Sequence, residues 1–86
     1  YPASIQLKTE LFELYTYNIN RGDEIINKAF ELGGQIIQIS QDVFCTCRTK
    51  ANLIRIYSYL ERERGQDHYE DIKKIIESLP YMYLCT

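Results

Sequence analysis

No run of about 18 apolar residues occurs in the chain, so no transmembrane helix is expected. No signal-peptide pattern opens it, and no Asn-x-Ser/Thr acceptor interrupts it. Charge of one sign is scarce too: 10 basic residues against 12 acidic ones leave a formal net charge of −2. That balance excludes a broad basic field for nucleic acid, and equally an acidic mimic of one. Histidine occurs once, at His68, so one imidazole must serve any acid–base or metal chemistry. A glycine-rich phosphate loop is missing, because Gly33-Gly34 follows a helical stretch instead of opening one. No repeat, linker or low-complexity tract divides the sequence, and residues 1–86 are read as a single domain.

Cysteine is present in an odd number, at Cys45, Cys47 and Cys85. Two of the three lie only two positions apart, too poorly placed to bridge without distortion. A disulfide framework is therefore not expected, and the setting is read as reducing and cytoplasmic. What the chain does have is 45% apolar and 26% charged residues, the balance of a globular domain.

The stretch Gly33–Arg48 organises the expected fold. Ile37, Ile39, Val43, Cys45 and Cys47 share one parity, as alternate residues do on one side of a strand. A three-residue loop, Ser40-Gln41-Asp42, keeps that parity and predicts a hairpin with Ile39 opposite Val43 and Ile37 opposite Cys45. Residues 4–19 also alternate, through Ile5, Leu7, Leu11, Tyr15, Tyr17 and Ile19. Leu7, Leu11, Leu14 and Tyr15 would alternatively lie on one helical face, but the alternation spans more residues and favours a strand. Asn20 is expected to cap a helix that carries Ile25, Ile26, Ala29, Phe30 and Leu32 and stops at Gly33. Thr49 is expected to cap a second helix from Lys50 to Arg64, with Ala51, Leu53, Ile54, Tyr57 and Leu60 inward and Gly65 as its stop. A third helix follows the Asp67–Glu70 capping pair, buries Tyr69, Ile72, Ile75, Ile76 and Leu79, and ends at Pro80. Tyr81–Thr86 completes the reading as a last strand. The order is β-α-β-β-α-α-β: an α+β fold with a small, mostly antiparallel single-layer sheet and helices on one face, a variant of the ferredoxin-like order.

Four kinds of chemistry are open to such a frame. Cys45, Cys47, Cys85 and His68 match a zinc Cys3His set in type, but Cys-x-Cys on a strand is a weak signal and buried cysteine behaves as a small hydrophobe. No metal and no cofactor is expected. Catalysis needs a thiol beside a base, and nothing places His68 near one. The carboxylate pairs Asp23-Glu24 and Glu70-Asp71 open helices, where acids serve as capping charges. The chain is therefore read as non-enzymatic. Single-stranded nucleic acid could stack on Phe12 and Phe44 with Arg48 beside them, but the basic-Gly-aromatic pattern of RNA-recognition sheets is replaced by Asp42-Val43-Phe44. Protein association ranks first. Phe12, Leu14, Ile36 and Phe44 would share the sheet face that the helices leave open, an apolar patch of interface type. The sequence thus predicts a regulatory protein-binding module that self-associates through this sheet face or a strand edge, with single-strand nucleic-acid binding as the alternative and no membrane role.

Overall fold

A computed structural model of the chain describes residues 3–80, and it is helical throughout. Four α-helices follow one another: α1 (Ala3–Tyr17), α2 (Asp23–Ile39), α3 (Val43–Arg64) and α4 (Tyr69–Glu77), with a 3-10 turn at Ile19–Arg21 between the first two. The expected α+β, ferredoxin-like sheet is thereby overturned, since no strand occurs among the described residues. The last predicted strand, Tyr81–Thr86, and Cys85 within it lie outside them.

The inward faces follow the helical period instead of parity. In α1 the buried residues are Ile5, Thr9, Phe12 and Thr16; in α2 they are Ile26, Ala29, Gly33 and Ile36. In α3 they run Cys45, Thr49, Asn52, Leu53, Ile56 and Leu60, with Cys47 on another side. Three threonines sit in this interior without cross-helix hydrogen bonds to other oxygens or nitrogens. Each donates its hydroxyl to the carbonyl four residues back: Thr9 to Ile5 (2.8 Å), Thr16 to Phe12 (2.9 Å) and Thr49 to Cys45 (2.9 Å). A buried hydroxyl satisfied this way costs the core little.

Cross-contacts set the directions. Lys8 Nζ donates to Gln35 Oε1 at 2.7 Å, and Asp23 pairs with Arg64, so α2 runs antiparallel to both neighbours. Thr9 Oγ1 lies 3.5 Å from Cys45 Sγ, and Glu13 pairs with Arg48, so α3 runs with α1. All three helices converge at Gly33, between Phe12 of α1 and Leu53 of α3. A methyl added there would stand 3.0 Å from Leu53 Cδ2 and 3.0 Å from Phe12 Cε1. Gly33 is therefore not the predicted helix stop; α2 continues through it because the missing side chain makes room for Phe12 and Leu53. The helix ends only at Ser40, whose N–H reaches the Ile36 carbonyl at 2.9 Å.

The helix ends also differ from those expected. Asn20 lies inside the 3-10 turn, and α2 instead starts from Gly22, whose φ of 146° favours glycine. Thr49 lies within α3, which begins seven positions after Ile36 and is capped by Asp42: its Oδ1 accepts the Cys45 N–H at 2.9 Å. The stretch read as a hairpin is thus a helix end, a short loop and a helix start. Gly65 does stop α3, at φ 65°, with its N–H on the Glu61 carbonyl and Gln66 N–H on that of Leu60. Asp67 Oδ1 accepts the Tyr69 N–H at 3.1 Å as α4 begins. That helix leans on α3 with Ile72 and Ile75 half-buried, and no residue of it is fully buried.

Candidate functional site

The four residues predicted to form one contact face are dispersed. Phe12 and Ile36 are completely buried, among the largest fully enclosed side chains of the core. Leu14 is 57% exposed on α1 and Phe44 is 76% exposed at the start of α3. The reason is geometric: two positions apart means one side of a strand, but nearly opposite sides of a helix. Phe12 therefore points inward and Leu14 outward. With Phe12 enclosed, the pair of stacking aromatics expected for nucleic acid is not assembled, and Arg48, from the same reading, is held by Glu13.

A different face emerges on α1. Leu7, Leu11 and Leu14 are all exposed and follow one another at four and three positions, the spacing of one helical stripe. Relative to Ile5, Thr9, Phe12 and Thr16 that stripe lies on the far side of the helix. Leu7 and Leu11 thus join Leu14, one of the four predicted contact residues, where Phe12 and Ile36 do not. The signal was in the sequence, as the helical alternative for residues 4–19; what it did not disclose is that this stripe faces away from the core.

Other surface features are smaller. Ile39 and Val43 flank the corner between α2 and α3, next to Phe44, and are also exposed. A groove of about 350 Å³ between α3 and α4 is lined by Glu61, Tyr69, Ile72, Lys73, Ile76 and Glu77. His68 packs against Tyr57 in a tilted pair with centroids 4.9 Å apart, and Tyr57 in turn against Phe30 at 4.9 Å, also tilted. The imidazole Nδ1 is 3.1 Å from Asp71 Oδ2 and Nε2 is 2.7 Å from Gln66 Oε1. Partial burial, and then the Asp71 carboxylate, push the Tyr57 phenol up from its ordinary value.

Comparison with protein-family models, curated proteins and solved structures finds no match. Cys45 is enclosed between α1 and α3, and Cys47 is buried at the same end of α3. His68 lies beyond the opposite end of that helix. Among the described residues no three His, Cys, Asp or Glu side chains converge as a metal would need, and no helix is long and apolar enough to cross a membrane.

Proposed function

We propose that the chain is a small, non-enzymatic regulatory module that pairs with a second copy of itself through the outer face of α1. The observation that carries this reading is the stripe of Leu7, Leu11 and Leu14, exposed on the side of the helix opposite the core. A surface helix ordinarily turns polar residues to that side. The spacing is close to symmetric about Leu11. In an antiparallel pair with a two-fold axis there, Leu7 meets Leu14 of the partner subunit, so one patch complements itself. The stripe spans seven residues, about 10 Å of helix, which suits a reversible contact better than an obligate dimer. The free, buried thiols of Cys45 and Cys47 fit a reducing, cytoplasmic setting.

Sedimentation equilibrium over a concentration series tests the proposal. The wild-type chain should show a monomer–dimer equilibrium, Leu11→Glu should be monomeric, and Phe44→Glu, on another helix, should behave as wild type. A wild-type chain still monomeric at about 1 mM, beyond weak millimolar association, ends the proposal. So does Leu11→Glu that dimerises like wild type.

A further inference from the structure

The cleft between α1 and α3 has properties that packing alone does not explain. It is lined by Glu13 and Tyr17 from α1 and by Arg48, Ala51, Asn52 and Arg55 from α3, and holds about 200 Å³. Asn52 is 9% exposed, yet its side chain makes no hydrogen bond among the described residues. No side-chain nitrogen or oxygen, those of Asn52 included, is fully occluded without a partner among the described residues. The Asn52 amide therefore opens into the cleft. Asparagine is a poor helix former, and its neighbours Leu53 and Ile56 show what the core accepts at this level. With no partner in the fold, the amide keeps its donors and acceptor free for a group that enters the cleft.

The charges around it are unequal. Arg48 is paired with Glu13 across the cleft. Arg55 is exposed and has no acidic partner among the described residues. One uncompensated positive charge thus remains beside a free amide. Arg48, Asn52 and Arg55 follow one another at four and three positions, so their side chains share one stripe of α3. The Tyr17 side chain stands at the rim, with a phenolic hydroxyl able to donate.

We propose that this cleft binds an oxyanion, a carboxylate or a phosphoryl group, held by the Arg55 guanidinium and the Asn52 amide. The guanidinium supplies paired N–H donors in a fork that matches two oxygens of one anion, and the amide supplies a further donor. Arg48 adds field while its own charge is balanced by Glu13. The volume limits the ligand: pockets for whole small molecules run to about 300–1,000 Å³, so this cleft takes a terminal anionic group and excludes a nucleoside. Nothing in the assignment depends on pairing through the leucine stripe, which lies on the outer side of α1.

The test is a titration of the isotope-labelled full chain, followed by the side-chain resonances of Asn52 and Arg55. Inorganic phosphate, acetate and chloride are added separately at constant ionic strength. Phosphate or acetate should shift those resonances to saturation with a Kd of about 1 mM, and chloride should not. Saturation by phosphate alone assigns a phosphoryl ligand; saturation by acetate assigns a carboxylate. Asn52→Ala and Arg55→Gln should each weaken binding by about tenfold or more, as loss of a charge-assisted hydrogen bond does. Both variants should unfold no earlier than wild type, since neither side chain has a partner within the fold. A response without saturation, an equal response to chloride, or undiminished binding by both variants overturns the assignment.

Discussion

Replacing Gly34 by alanine should stabilise the protein, and replacing its neighbour Gly33 should not. Both glycines lie inside α2, where alanine is favoured over glycine by about 0.8–1.0 kcal/mol on helix propensity. At Gly34 an added methyl meets nothing within 4 Å. The whole propensity gain is then expressed, about 1 kcal/mol, which raises Tm by about 4–8 °C in a domain of this size. At Gly33 the same methyl would lie 3.0 Å from Leu53 Cδ2, 3.0 Å from Phe12 Cε1 and 3.4 Å from Phe12 Cζ. Carbon atoms in contact prefer about 3.5–4.0 Å. The Leu53 methyl has some freedom to turn aside, but the fully buried Phe12 ring has little room to retreat. Overpacking of this kind costs about 1–3 kcal/mol. Gly33→Ala should therefore range from neutral to destabilising by about 2 kcal/mol once propensity is subtracted. Subtracting one variant from the other cancels propensity and leaves the packing contribution alone. Urea unfolding followed by far-ultraviolet circular dichroism reads both. Equal stabilisation by the two substitutions would mean that Phe12 and Leu53 do not converge on Gly33. A marked loss at Gly34 would mean that the helix stops at the glycine pair and that the long α2 is wrong.

Further outcomes follow from particular contacts. Phe12→Ala should cost about 3–5 kcal/mol, because the ring is enclosed; Phe44→Ala should stay within about 0.5 kcal/mol of wild type, as exposed positions do. A strand reading would have made the two alike, so matched losses in chemical denaturation would favour it. Asp42→Ala removes the cap of α3 and should cost about 1 kcal/mol, measured in the same way; an unchanged midpoint would mean that the Cys45 N–H bond contributes nothing. Tyr57 holds its proton more tightly when folded than the ordinary phenol value of 10.0. Its contribution is complete below that value in the unfolded chain and is lost as pH rises through the higher folded value. Stability should fall above pH 10.0, and Tyr57→Phe should reduce the fall; an unaltered alkaline slope would refute the assignment.

Several pieces of the fold were legible in the sequence. The helical stretch after residue 23, the helix ending at Gly65 and the helix that follows Asp67 all carry apolar residues at helical spacing. Of their expected ends, those at Asn20, Gly33 and Thr49 fell elsewhere and that at Gly65 stands. The hairpin was misread because Ile37, Ile39, Val43, Cys45 and Cys47 straddle the junction of two helices. There, an accidental parity arises from residues that face in different directions: Ile39 and Val43 outward, Cys45 and Cys47 inward. Gly33-Gly34 strengthened the error, since a glycine needed for close approach looks the same in a sequence as one needed for a left-handed turn. The first helix was obscured for another reason. It has apolar residues on two opposite faces, and their superposition imitates alternation over residues 5–19. The inward face also contains Thr9 and Thr16, whose hydroxyls are bonded within the helix and so do not advertise burial. The cleft around Asn52 was not legible in the sequence, because whether an amide finds a partner depends on how the helices pack around it.

The two described cysteines stand two positions apart but belong to different surroundings. Cys45 is wedged against Thr9 in the three-helix core, whereas Cys47 shares its cleft with Ser78 and Pro80 just past the end of α4. Lifting that short segment away would bare one sulfur and leave the other sealed. With Cys85 replaced by serine, the alkylation rate at Cys47 would measure how often α4 detaches, and the rate at Cys45 would time the opening of the whole bundle.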